Sequence, residues 1–382
     1  MRPRLFVAGF PALALLMSAA GMASAASRPS DSKTPTAIGQ ATWDKNAAAK
    51  YLDSREVWWQ AWAPAQKDHA TVCVSCHTNV PYALARPALR GPLDEHGPSE
   101  PERVMLDSVI KRVNLGKDAA PFYNDAKHGP GKTQEARNTE GVNNALILSR
   151  YDAQQGHLQE ATHKAFESMW ASQEQTGPKA GAWIWQNFHF SPWEADESEY
   201  YGATLAAIAV GIAPDHYRDD PKIQPNVTLL RSYLQREAPQ QPLINRIWLL
   251  WASSKLPGLI TDPERAALKA EIYSKQQPDG GWSLTTLGTW KRHDHSPFDT
   301  RSDGYATGLT VLALEESGLG KTTPELKRGV DWLLANQSKT DGLWPAWSLN
   351  LKRDPASDAG LFMTDAATSF SVLALESSRQ NQ

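Results

Sequence analysis

Val311-Leu312-Ala313-Leu314-Glu315 recurs without change as Val372-Leu373-Ala374-Leu375-Glu376, 61 residues further along the chain. Two other features keep nearly the same interval. Thr261-Asp262-Pro263-Glu264 has its counterpart in Thr323-Pro324-Glu325, and Gly281-Trp282 is answered by Gly342-Leu343-Trp344. Shared spacing of three unlike features marks an internal structural repeat. The Thr/Pro pairs read as helix starts, with a capping hydroxyl and a proline in the first turn, where its missing N–H costs nothing.

Each repeat reads as two helices of different character. The first is amphipathic: between Pro324 and Gln337, Val330, Leu333 and Leu334 share one side, with Lys327 and Arg328 opposite. A Gly/Trp loop follows. The second, as in 303–317, is apolar nearly all round and should be buried. The same pairing extends backwards through the chain. Outer helices are expected over 43–62, 102–115, 157–173, 224–237, 263–276 and 324–337, and inner helices over 78–89, 140–151, 199–210, 243–254, 303–317 and 365–377. Strand-like alternation is nearly absent. No hairpin can bury its apolar helix alone, so the expected fold is all-α, an α/α toroid of about six helical hairpins closed into a ring over residues 41–382.

Arg328-Gly329-Val330-Asp331-Trp332-Leu333, followed by Gln337, Gly342 and Trp344, resembles the QW repeat of squalene–hopene cyclases and related terpenoid cyclases. A shorter copy runs from Lys269-Ala270 to Gln276 and Gly281-Trp282, and a looser one joins Lys164-Ala165, Gln173, Gly181 and Trp183. The resemblance implies the toroid shared by those cyclases and by protein prenyltransferase β subunits. It further implies that the glutamine ties one outer helix to the next while the tryptophan stacks beside it. Most of the 15 tryptophans are then architecture.

The chain has 382 residues, with 39 basic and 42 acidic side chains. Met1–Arg4 is positively charged, residues 5–20 are apolar or small, and Ala23-Ser24-Ala25 has the form of a cleavage site. Residues 1–25 therefore read as a secretory signal and 26–40 as a polar, disordered leader. Loss of Arg2 and Arg4 would take the formal charge from −3 to −5, which excludes a general electrostatic hold on nucleic acid or anionic lipid. The expected location is periplasmic or otherwise exported, with no membrane span after signal removal.

Cys73-Val74-Ser75-Cys76-His77 contains both cysteines of the chain. The C-x-x-C-H spacing is that of covalent haem c attachment, two thiols forming thioethers and the histidine ligating iron. The expected cofactor is one haem c, with Cys73 and Cys76 as anchors and His77 as proximal ligand. Met105 is a candidate distal ligand, with His69, His96 and His128 as other candidates. A thioredoxin-like dithiol would need βαβ surroundings, and zinc would need further ligands. Because Thr78-Asn79 occupies the place of an inner-helix start, the motif should lie at a mouth of the ring.

Glu140, Glu199, Asp303 and Asp365 follow Thr139, Ser198, Ser302 and Thr364 at the other inner-helix starts. They are candidate catalytic acids, by comparison with the D-x-D-D-T-A motif of squalene–hopene cyclases. Arg301-Ser302-Asp303-Gly304-Tyr305-Ala306 matches one acid of that motif; the plain alternative is that these carboxylates cap helices. Tyr200, Tyr201, Tyr305 and His189 are candidate cavity residues, and His293-Asp294-His295 a candidate metal pair. Prenyl transfer is excluded, since no cysteine follows residue 76 to complete a zinc site. The sequence thus favours an exported haem protein with a redox role, acting on a small hydrophobic molecule or with a redox partner protein. The other readings are a cyclase using Asp303 and a non-catalytic ligand-binding toroid.

Overall fold

The structure, a computed structural model, describes residues 42–123, 129–318 and 323–380. The expected signal and leader, as well as His128, lie outside these residues. Among the described residues, twelve α-helices alternate between two concentric layers. The outer layer is α1 (Lys45–Ala61), α3 (Glu100–Leu115), α5 (Glu160–Ala171), α7 (Gln224–Glu237), α9 (Asp262–Ser274) and α11 (Pro324–Ala335). The inner layer is α2 (Asn79–Ala85), α4 (Gly129–Gln155), α6 (Ser198–Ile212), α8 (Leu243–Lys255), α10 (Gly304–Glu316) and α12 (Phe362–Gln380). Each inner helix packs on the next, and α12 returns to α2, so the ring closes. The chain is an all-α, six-hairpin α/α toroid.

Composition explains the layering. Nearly every residue of α6, α8 and α10 is buried, whereas α9 and α11 bury one stripe only. Helix starts follow local chemistry: Thr261 and Glu264 form a reciprocal capping box at α9, as Ser99 and Glu102 do at α3.

The glutamine–tryptophan repeats bond alike in three hairpins. Gln173 donates to the Gly181 and Asn226 carbonyls at 3.1 Å each. Gln276 donates to Gly280 and Glu325 (2.7 Å each), and Gln337 to Gly342 (2.9 Å) and Asp44 (2.8 Å). Each glutamine thereby satisfies its own loop and the first turn of the next outer helix. The loop indoles of Trp183, Trp282 and Trp344 donate back to Met169, Ile272 and Leu333 at the ends of the preceding outer helices. Gly342, at φ 74°, admits a close approach: a Cβ there would lie 2.4 Å from the Ala47 carbonyl carbon.

Three inner helices depart from the expected bounds. Pro87 ends α2 early, and residues 86–89 continue as a 3-10 turn. Helix α4 starts at Gly129 rather than at Glu140, and α12 starts at Phe362. Glu140 and Asp365 are therefore not helix-capping residues, and the series of inner-helix N-caps reduces to Asp303, whose carboxylate accepts the Ala306 N–H at 2.8 Å.

Candidate active site

The first hairpin lacks the Gly/Trp loop found in three of the others. A two-residue antiparallel ladder pairs Gln66–Lys67 with Thr71–Val72, and the Cys73 N–H then donates to Ala65 C=O at 2.7 Å. Tryptophan chemistry is reversed here. Trp59, on the helix, donates its indole N–H to the loop carbonyl of Cys73 at 2.7 Å. This pins Cys73 to His77 at the mouth where the inner helices begin, beside a cavity of about 290 Å³.

Cys73, Cys76 and His77 all line that cavity, with Trp59, Trp62, Tyr123, Trp193 and Phe362 forming aromatic walls. The polar members are Glu194, Arg353, Gln186 and Asn350. His77 lies flat on Phe362, ring centroids 3.8 Å apart, and edge-on to Trp59. Its Nδ1 is 2.8 Å from Thr78 Oγ1, and the Thr78 hydroxyl donates to Asp365 Oδ2 at 2.8 Å. Because the threonine hydrogen is committed to the carboxylate, Nδ1 is the protonated nitrogen and Nε2 keeps its lone pair. Burial, with Arg55 and Arg353 nearby, pushes the imidazole down to about 3 and keeps it neutral.

Glu194 is the chemically distinctive group. Burial raises its carboxyl to about 7, partly opposed by Lys132, and its side chain makes no hydrogen bond among the described residues. A carboxyl that exchanges its proton near neutrality has the acidity that general acid–base transfer requires. Gln186 Nε2 is buried without a partner, and its backbone N–H is turned toward Thr139 Oγ1 at 3.0 Å. Arg353 is half-buried and makes no ion pair among the described residues. The two thiols are different in kind: burial pushes Cys73 up to about 12 and Cys76 higher still, so both remain protonated.

The four acids singled out by their helix positions do not converge. Glu140 is bound by Arg112 through two hydrogen bonds. Glu199 pairs with Lys179 at 2.7 Å. Asp303 receives the Leu284 N–H (2.6 Å) as well as Ala306 N–H, and is spent on backbone. Asp365 alone adjoins the cavity, through Thr78; it also accepts from Arg55 Nε and Tyr51 OH at 2.8 Å each. Met105 is packed in the core on α3, away from the cavity wall, where Met363 stands instead. His69 is exposed beside Asp68, and His96 borders a separate surface cavity. Tyr200, Tyr201 and Tyr305 are buried packing residues; Tyr305 OH accepts from the Trp193 indole at 3.1 Å. His189 is exposed, as are His293 and His295, and no group of three or more His, Cys, Asp or Glu able to hold a metal occurs among the described residues.

No protein-family model matches the chain, and no curated protein matches it. Solved structures do. A polysaccharide lyase shares 13% identity over 88% of this chain and 97% of its own, with a TM-score of 0.50. A possible member of the GH105 family from Klebsiella pneumoniae shares 10% over 88% and 93% (TM-score 0.49), and a glycosidase 12% over 87% and 98% (TM-score 0.48). The likeness to the lyase is one of fold. It corrects the functional expectation: the toroid found here is similar to that of a polysaccharide lyase. The redox and electron-transfer role is set aside on that finding. So are the cyclase, whose Asp303 is held by backbone N–H groups, and the passive ligand-binding toroid.

Among the described residues, no helix is long and apolar enough to cross a membrane.

Proposed function

We propose that the chain is a carbohydrate-processing enzyme whose reaction centre is the mouth cavity, with Glu194 as the proton-transfer group. The observation that carries this reading is an unpartnered carboxyl, raised to about 7, in an aromatic-walled cavity. Aromatic walls accept the C–H faces of sugar rings, and few convergent polar groups fix their orientation. Arg353 supplies a cation for an anionic sugar substituent, Gln186 an uncommitted N–H donor, and His77 Nε2 an acceptor. The likeness to a polysaccharide lyase supports the substrate class. Export by the N-terminal segment would bring the enzyme to extracellular polymers.

The test is turnover of a panel of acidic polysaccharides by wild type and by Glu194→Gln, with products weighed by mass spectrometry. Hydrolysis adds water to the products and elimination does not. Loss of product in Glu194→Gln by a factor of about 100 or more supports the reading; equal turnover rejects it.

One specific observation favours a second occupant of the same cavity, a covalent haem c: Cys73, Cys76 and His77 line a single wall. The donor set fits. Both thiols are reduced and protonated, His77 Nε2 is free, and Met363 and Arg353 offer a soft ligand and a cation for a propionate. When bound, the group would supply an iron that His77 could ligate; no electron-carrying role is attached to it. A visible spectrum of protein matured with haem-attachment machinery separates the occupants, because a haem there would leave a sugar no access to the aromatic walls.

A further inference from the structure

At the opposite mouth, where the inner helices end, a second cavity of about 240 Å³ is lined from all six: Leu84, Ile208, Leu312 and Leu373 give it an apolar wall, and Arg150 and Trp251 enter it from α4 and α8. Cations are expected beside helix C-termini. Two of the three nearby are already matched, Lys255 to Glu316 at 2.5 Å and Lys45 to Glu376 at 2.6 Å. Arg150 is not. Its Nε donates to the Leu84 carbonyl at 3.3 Å, and its guanidinium has no carboxylate partner among the described residues. The buried Trp251 indole N–H likewise has no acceptor. A guanidinium with no carboxylate bound to it and an unmatched N–H on one cavity, whose lining also holds the lysine-paired Glu316 and Glu376, are costly features unless a ligand with acceptor oxygens completes them.

We infer that this cavity is a binding site for a small carboxylate with a short apolar chain, the carboxylate paired with Arg150 and the chain lying against Ile208, Leu312 and Leu373. The site is separate from Glu194 and goes beyond the proposed reaction. A guanidinium fork matches a carboxylate in two parallel bonds. The lining explains why a free inorganic anion would be a poorer occupant, since it would leave the leucine and isoleucine wall uncovered.

The experiment is calorimetric titration of the full chain with octanoate, with octanamide as the uncharged control. Octanoate should bind at least tenfold more tightly than octanamide. Arg150→Met should erase that preference, while Trp251→Phe, which keeps an aromatic face but replaces the indole and removes its N–H, should weaken octanoate several-fold with an unchanged circular dichroism spectrum. If Arg150→Met does not fold, Arg150→Lys takes its place and should weaken octanoate several-fold, since the fork is lost. No octanoate binding, or equal binding by the Arg150 variant and wild type, overturns the inference.

Discussion

Gln337 and Asp44, 293 residues apart, exchange a reciprocal pair of hydrogen bonds: the Asp44 N–H donates to Gln337 Oε1 at 2.7 Å, and Gln337 Nε2 returns a bond to the Asp44 carbonyl at 2.8 Å. This pair joins the last outer helix to the first and closes the ring. It is the same device that Gln173 and Gln276 use between consecutive hairpins, applied across the chain ends. A toroid in which each hairpin buries its neighbour's inner helix depends on that closure.

Gln337→Ala should therefore cost about 1–2 kcal/mol, since it removes the partner of the buried Gly342 carbonyl and of the Asp44 N–H. Gln235→Ala, whose side chain bonds Gly258 at the surface, should cost less than about 1 kcal/mol. Urea denaturation of both variants checks the contrast; equal midpoints would show that closure does not rest on this pair.

Ring architecture was legible in the sequence because its signals are local and repeated. Period, capping prolines, glutamine and tryptophan all recur near 61 residues, and they place the twelve helices in their correct layers. The first turns of helix α4 escaped because Gly129-Pro130-Gly131 looks like a breaker, whereas a proline in a first turn is compatible with a helix. The cavity was half legible. Cys73, Cys76 and His77 form one contiguous motif, but Gln186 and Glu194 sit in the α5–α6 loop and Arg353 in the α11–α12 loop, and no motif links those loops to the first. Burial gives Glu194 its acidity, and burial of a lone loop glutamate leaves no mark in sequence. Met363 was passed over for Met105 because proximity along the chain stood in for proximity in space.

Asp303 and Glu194 separate a structural carboxylate from a reacting one. Asp303→Asn keeps one acceptor but sets an amide N–H against a backbone N–H, so stability should fall by about 1–2 kcal/mol with kcat unchanged. Glu194→Gln should do the reverse. Thermal melts and turnover on the same preparations check this; a kcat collapse in Asp303→Asn at full stability would move the chemistry to α10.

Trp62 and Trp282 make a second contrast. Trp282 is fully buried with its N–H bonded, and Trp282→Ala should cost about 3–5 kcal/mol. Trp62 is 37% exposed on the cavity rim, so Trp62→Ala should leave stability within about 1 kcal/mol and raise KM for a saccharide. Equal KM in Trp62→Ala and wild type would remove the aromatic wall from substrate binding.

Stability should depend on pH in a definite sense. Burial raises Glu56 to about 8, Glu194 and Asp303 to about 7 and Asp365 to about 6, against ordinary values of 4.5 and 3.8. The folded chain then binds more protons than the unfolded one, so their contribution is present at acid pH and lost as pH rises toward 8. His77, pushed from 6.5 to about 3, works oppositely, its contribution being lost as pH falls below 6.5. Between pH 6.5 and 8 the carboxyls decide, and Tm should fall, less steeply in Glu194→Gln. A Tm that rises across that window would show these acids to be ionised in the fold.

The central claim is that Glu194 transfers the proton in the mouth cavity, and the pH dependence of kcat/KM on an acidic oligosaccharide tests it most directly. The account predicts an inflection near pH 7 that belongs to Glu194 and a loss of about 100-fold or more in Glu194→Gln. A Glu194→Gln enzyme with the wild-type rate and the same inflection would contradict it.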